Sequence, residues 1–286
     1  MDRISASGAE DLGSTPNGST TYIMRPLFFL LLFSSLIVSA DVAKEDRPEV
    51  TSFWQRINVH SAVGYESEYV YEGAKQAGPS TQFELYGDYA PWKGTLRAGL
   101  WSNLPWARSH FPDTSNEFDF YGKYFHPITE MFTSEVGYKY AWMPNANTGY
   151  LGKYHEVNLG VIADVALSPK AEIAYNIDKQ QYKLQFSACY VIDLADYIVE
   201  KLSLEWSFYG GMLWANNAYG GARGKRKNDY IYAGSQADLV YKINELSDVR
   251  FGIRYAMNND GCAGVANDHG THDKLFWLGG SFNLYF

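Results

Sequence analysis

Two cysteines, Cys189 and Cys262, are all that this chain of 286 residues carries, too few for a disulfide framework. Long apolar runs are as scarce. The only one covers Leu27 to Val38, short of the ~20 residues a membrane-crossing helix needs, so a protein of several helical spans is excluded. Basic charge is also in short supply: Lys and Arg number 24 against 32 Asp and Glu, a formal net charge of -8, which speaks against a nucleic-acid partner. No serine stands in a recognisable nucleophile motif.

The one apolar run follows Met24 and Arg25 and ends in Val38, Ser39 and Ala40. That small-residue ending is a cleavage site of the A-x-A kind, so residues 24–40 read as a secretory signal peptide cut after Ala40. A single anchoring helix is the competing reading, but no stop-transfer charge cluster follows. Residues 1–23 are polar and Ser/Gly-rich and read as a non-native or misassigned extension, with the true start at Met24. Residues 41–56 then form a periplasmic segment. The leader takes three acids and two bases with it, leaving a mature charge of about -7.

What the chain has in abundance is aromatic residues, 16% of the total with 23 Tyr, and Tyr suits a boundary between water and hydrocarbon. From Ile57 onward they sit in amphipathic segments of roughly ten residues, the length a tilted strand needs to cross a bilayer. The expected strands are 57–72, 81–90, 95–103, 117–125, 130–142, 155–166, 170–178, 181–191, 201–213, 229–242, 248–257 and 274–286. The connections alternate between tight turns and long loops, as periplasmic turns and outer loops do. Two links break that alternation, a short one after Asp178 and a long one from Asp193 to Glu200. A slipped hairpin there would give ten strands.

Each segment separates into two faces. Phe286, Leu284, Phe282, Gly280 and Leu278 share one face of the last segment; Tyr285, Asn283, Ser281 and Gly279 share the other. Sets such as Val157, Leu159 and Val161, or Phe251, Ile253 and Tyr255, are free of charge. Lipid demands this, since Arg or Lys at the midplane costs about 2–4 kcal/mol. Tyr69, Tyr71, Tyr89, Trp142, Tyr241, Tyr255 and Phe286 fall at segment ends, as girdle residues do. A two-sheet sandwich would also alternate but has no reason to gather aromatics there. The expectation is an all-β protein, a transmembrane antiparallel up-and-down barrel of about 12 strands over 57–286, with 10 as the alternative. Its first and last strands must pair to remove both edges.

The opposite face carries the charges. Arg97, Lys123 and Lys139, on successive strands, with Glu84, Glu117, Asp119, Glu135, Arg250 and Arg254, are the candidate lumen and solute-path residues, joined by the inward aromatics Tyr86, Trp101 and Tyr121. Glu66, Glu68, Glu72, Asp164 and Asp178 belong to the same wall. Acid exceeds base there about two to one, so an open pore would favour cations. Ladders of opposite sign would set up a transverse field; pairing across neighbouring strands is the plainer expectation. Arg223, Lys225, Arg226 and Lys227, in an outer loop, could contact the phosphates of lipopolysaccharide. His269 and His272, with Asp268 and Asp273, are too weakly spaced to argue for a metal, and His155–Glu156 or His272–Asp273 point to opposite faces. The expectation is no enzyme, no metal and no cofactor. Cys189 and Cys262 fall at opposite barrel ends, so no bond between them is expected.

The run Tyr65 to Gln76, YESEYVYEGAKQ, resembles the opening strand of an uncharacterised bacterial outer-membrane β-barrel family named for its Gly, Cys and Trp residues. Ser67, Tyr69, Val70, Gly73 and Gln76 fit its pattern, and Glu68 replaces an Asp. Gly99–Asn103, Glu117–Gly122 and Tyr154–Val157 resemble later segments, so the likeness covers the first half of the mature chain. It implies the bacterial outer membrane and leaves the function open. The sequence therefore points to a channel for passive diffusion of small polar solutes, namely sugars, nucleosides or cations. The alternatives are a non-conducting surface barrel with binding or adhesive loops and, third, an outer-membrane hydrolase. Outer-membrane lipid, lipopolysaccharide and the barrel-assembly machinery, through the last strand, are the expected partners. Protein purified from membranes should begin at Asp41; an intact mass that retains residues 24–40 would refute the cleavage site.

Overall fold

The computed structural model describes residues 56–90, 93–106, 116–144, 152–195, 197–215, 229–259 and 274–286. Fourteen strands follow in order: β1 (Ile57–Glu66), β2 (Tyr69–Tyr71), β3 (Ala74–Ala77), β4 (Ser80–Tyr89), β5 (Thr95–Pro105), β6 (Glu117–Pro127), β7 (Phe132–Trp142), β8 (Lys153–Ala163), β9 (Lys170–Asn176), β10 (Gln181–Asp193), β11 (Leu202–Ala215), β12 (Asp229–Asn244), β13 (Ser247–Asn258) and β14 (Lys274–Tyr285). All but β2 and β3 form one closed antiparallel barrel, each strand bonded to its neighbours in sequence. The ladder therefore has twelve strands, and the ten-strand alternative fails. The link after β9 is a tight turn and the link between β10 and β11 is long, so both irregularities are features of the fold.

Closure is made where the ends of the barrel sequence meet. β1 runs antiparallel to β14, from His60 opposite Tyr285 to Glu66 opposite Gly279. The last residue completes the seam, since Phe286 and Val59 exchange backbone hydrogen bonds at 2.8 and 2.9 Å. In hydrocarbon no water can satisfy an open edge, so every backbone donor and acceptor must find its partner within the sheet.

Side-chain placement is inverted relative to a soluble protein. Phe276, Phe251 and Leu159 are 74%, 59% and 54% exposed, while Glu135 and Asp238 keep 1% and 2%. A sandwich would bury the first set. Exposed apolar side chains around a closed sheet are the lipid-facing surface of a transmembrane barrel. Apart from the link after β9, the tight turns lie at one end, which also carries the longer β10–β11 link: Asn244 Oδ1 accepts from Leu246 N at 2.8 Å and Ser247 Oγ at 3.0 Å, an Asx arrangement. This end, called inner below, corresponds to the periplasmic side of such barrels, and the long loops mark the outer end.

One expected strand is corrected. The segment 57–72 leaves the wall after Glu66, and residues 67–79 turn inward as the hairpin β2–β3. The cause is local. Glu72 and Gly73 have φ of 52° and 73°, the two left-handed residues that a two-residue I′ turn requires, and they join Tyr71 directly to its partner Ala74. Alternation of Glu66, Glu68, Val70 and Glu72 continues through the break, so the period could not reveal it. Glu68 and Glu72 thus lie on the hairpin, and Tyr69 is buried inside instead of serving as a girdle residue. Asp164 and Asp178, expected on the wall, lie in turns.

Replacing Leu159 by Arg should lower the barrel's stability in lipid vesicles by about 2–4 kcal/mol, read from urea unfolding followed by tryptophan fluorescence. No loss would mean that this face does not meet lipid.

Candidate functional site

The lumen is the only interior surface the described strands enclose, and charge covers it. On the wall formed by β6 to β10 the ions make a continuous lattice. Lys139 reaches Asp119 at 3.3 Å and Glu156 at 3.8 Å. Lys183 reaches Glu156 at 3.7 Å and Glu172 at 3.9 Å. Lys170 bridges Glu172 at 2.6 Å to Glu135 at 2.7 Å, and Lys123 meets Glu135 at 2.9 Å. Asn158 adds a donor to Glu135 at 2.8 Å. Antiparallel register explains the pattern, because it sets inward residues of adjacent strands side by side.

The opposite wall repeats the device with arginines. Arg97 binds Asp88 through two hydrogen bonds of 2.7 and 2.8 Å and lies 4.0 Å over the Tyr86 ring. Arg250 joins Glu205 at 2.6 Å and Asp248 at 3.2 Å. Arg254 joins Asp238 and, at 3.5 Å, Glu66, and Glu66 also accepts from Trp277 Nε1 at 2.8 Å. Tyr121 donates to Glu84 at 2.8 Å. His60 stacks between Tyr86 and Tyr285, with centroids at 4.7 and 4.9 Å.

The hairpin crosses this lumen near its outer end and is fastened to several strands. Tyr69 packs on Trp101 with centroids 5.6 Å apart and donates to Glu117 at 3.1 Å. Lys183 donates to the Tyr71 hydroxyl at 3.4 Å and pairs with Glu72 at 3.5 Å. Lys139 lies 5.3 Å from the Tyr71 ring centroid. At the tip Asn258 Nδ2 donates to the Gly73 carbonyl at 2.7 Å. A Cβ on Gly73 would lie 2.7 Å from the Tyr232 Cβ and 2.9 Å from the Met257 carbonyl oxygen, so only glycine fits against that wall.

Burial changes along the axis accordingly. At the hairpin's level the inward Ala141, Ala174, Lys183, Leu213, Tyr232 and Ala256, on six strands, are all buried. Toward the inner end His60, Tyr86, Arg97, Lys123, Cys189 and Glu205 are only half-buried. The hairpin's level is therefore filled, whereas the inner end mixes these half-buried residues with the buried Glu135, Asp248 and Asn283.

Glu68 and Glu72 lie on the hairpin and Asp164 and Asp178 in turns instead of on the wall, and Arg97, Lys123 and Lys139 do not form a separate basic ladder. Carboxylates on neighbouring strands take each of them, which replaces a transverse field by alternating pairs. Sequence reasoning missed Lys170, Asp248, Tyr71, Tyr154 and Asn258 as parts of the site. The available signal was the Glu72–Gly73 pair, weaker than the Asn-Gly or Asp-Gly of most such turns. Arg223, Lys225, Arg226 and Lys227, like His269, His272 and Cys262, lie outside the described residues.

No family model matches the chain, and no curated protein matches it. Among solved structures it is similar to the NanC porin, at 14% identity over 80% of this chain and 98% of that one, with a TM-score of 0.47. An outer membrane channel from Pseudomonas putida F1 gives 11% identity, 85% and 100% coverage and a TM-score of 0.49. LpxR from Salmonella typhimurium gives 8%, 80% and 100%, and 0.46. Likeness at this level carries no conclusion about what this lumen does.

Replacing Glu135 by Leu would leave Lys123 and Lys170 without their shared carboxylate. Breaking a buried pair costs 3–5 kcal/mol; both ammonium groups here keep contact with water, so a loss of about 2 kcal/mol is expected in vesicle unfolding. An unchanged midpoint would show that the lattice does not hold the wall.

Proposed function

We propose that the barrel is a channel of the bacterial outer membrane for passive diffusion of small polar solutes, with sugars, nucleosides and cations as the candidates. The observation that carries this is the pairing of an apolar exterior with a lumen lined by ions and amides. A barrel serving only as an anchor could fill its interior with apolar side chains. Carboxylate is in excess. Among the described residues Glu84 and Glu117 bond phenols and stand in no ion pair, so the lumen's field should favour cations over anions. Arg97, Lys123, Lys139, Arg250 and Arg254, with their acids, line the path, and Tyr86, Trp101 and Tyr121 offer faces to a solute ring. Membership of the Gly/Cys/Trp family belongs to the same proposal; of the residues that carry it, Tyr65 to Gln76 cover most of the hairpin, and Gly99–Asn103, Glu117–Gly122 and Tyr154–Val157 lie on β5, β6 and β8.

A second reading has one observation in its favour. The hairpin fills the outer half of the lumen, as it would in a non-conducting surface barrel whose outer loops bind lipopolysaccharide or another partner. An enzyme has less support: His155 lies on the outward face with Nδ1 2.6 Å from the Tyr138 hydroxyl, and His60 packs between two rings. Recognition of β14 and Phe286 by the barrel-assembly machinery is part of the proposal for how the chain reaches its membrane.

Purified protein in planar bilayers should give discrete conductance steps and a reversal potential on the cation-selective side. Arg97→Glu should roughly double the cation-to-anion permeability ratio by adding local negative potential. A ratio that stays put would remove Arg97 from the path, and absence of steps together with absence of liposome swelling by small sugars would sink the channel reading.

A further inference from the structure

Turns that stand in water favour Gly, Asn, Asp, Ser and Pro, yet the inner end of this barrel is tipped with large apolar side chains. The link between β10 and β11 carries the most. Tyr197 and Ile198 are 83% and 65% exposed, and Val199 beside them is exposed as well. The neighbouring links add the exposed Leu167 on one side and Ile243 and Leu246 on the other. Backbone bonds tie these links together, since the Leu167 carbonyl accepts from Cys189 N at 2.8 Å and the Lys201 carbonyl from Lys242 N at 3.0 Å.

The backbone of the β10–β11 link is satisfied from within. Leu194 N donates to the Leu202 carbonyl at 3.0 Å, Tyr197 N and Ile198 N donate to the Leu194 carbonyl at 3.1 and 3.0 Å, and Leu202 N donates to the Val199 carbonyl at 3.2 Å. Asp193 Oδ1 accepts from Ala195 N at 2.9 Å. A segment that enters a poorly hydrated layer must pair its donors in this way. β10 supplies the height. Tyr182 packs on Tyr175 with centroids 4.5 Å apart and pairs with Trp214 across the ladder, an aromatic group of the kind that marks the outer boundary of the apolar band. From Tyr182 to Ile192 the strand covers about 25 Å at ~3.3 Å per residue and a tilt of ~40°, which is the height of that band. Ile192 therefore sits at the inner boundary. The link follows at headgroup level, and the outward face reaches it through Tyr190, Ile192 and Leu194 without a charge.

We propose that Tyr197, Ile198 and Val199 are a membrane anchor, entering the headgroup and upper acyl layer of the leaflet at the inner end. The exposed Glu200 and Lys201 that follow meet the ammonium and phosphate of its zwitterionic phospholipids, at a depth where charge costs little. A protein partner is poorly served, since a specific interface needs about 800 Å² on each side and three side chains offer a fraction of that. The anchor goes beyond the channel reading and does not depend on it.

The test uses the full chain with Cys189→Ser and Cys262→Ser, a nitrobenzoxadiazole label on Tyr197→Cys, and vesicles of phosphatidylethanolamine and phosphatidylglycerol. Exchanging part of the lipid for phosphatidylcholine brominated on its acyl chains should quench the label at least twofold, as it should a label on Phe251→Cys at mid-height. Iodide on both sides of the membrane should quench it at least threefold less than in the urea-unfolded chain. Adding Ile198→Glu should restore most of the emission by drawing the tip toward water. Heat-modifiable mobility on gels confirms that each variant is a folded barrel, and a label on Ile198→Cys replaces any that is not. A label open to iodide and untouched by bromine would place the tip in water and overturn the anchor. So would quenching that survives Ile198→Glu, because the barrel alone would then hold the tip at that depth. Shielding that appears only at high protein-to-lipid ratio would assign the tip to a second copy and overturn lipid as its partner. None of these readouts involves the lumen, so failure here leaves the channel reading standing.

Discussion

Everything in this structure depends on the requirement that a sheet in lipid have no free edge. An unpaired backbone group in hydrocarbon costs several kcal/mol, and a flat sheet would leave a row of them on each side. The seam between β1 and β14 removes both rows, and the mutual bonds of Val59 and Phe286 carry it to the last residue. Once the sheet is closed, strand alternation has only one outcome, with one set of side chains meeting lipid and the other facing a shared interior.

That interior explains the ion pairs. Fourteen ion pairs among the described residues would add little at a soluble protein's surface, where exposed pairs contribute little. Here the groups cannot reach bulk water freely, and a charge left alone would be expensive. Placing acid and base on adjacent strands satisfies both and stiffens the wall. The residual excess of carboxylate, seen in Glu84 and Glu117 held by phenol hydroxyls, is what gives the lumen its sign.

The hairpin is a different solution to the same accounting. Between the paired ends Glu66 and Ser80 the chain bonds to itself, then exchanges side-chain contacts with the far wall. Its position divides the lumen into an inner half in which His60, Arg97 and Lys123 are only half-buried and an outer half in which successive strands bury their inward residues. Function turns on that division, because a wall lined with charge conducts only where there is room beside it.

Much of this was legible beforehand. Alternation of Val157, Leu159 and Val161 with Glu156, Asn158 and Gly160, repeated segment after segment, is a local property of the sequence, and it determined strand number and the lipid face. The terminal segment announced the seam. Which acid each base would take was not legible, because register depends on strands that are far apart in sequence meeting at one level, as Glu72 and Lys183 do. The hairpin escaped for a related reason. A period of two continues smoothly from Glu66 to Glu72, and only the left-handed turn at Glu72–Gly73, together with the space inside a closed barrel, sends those residues into the lumen. Periodicity determines which face a side chain takes on a strand; whether the strand stays in the wall is decided by what the closed sheet leaves empty.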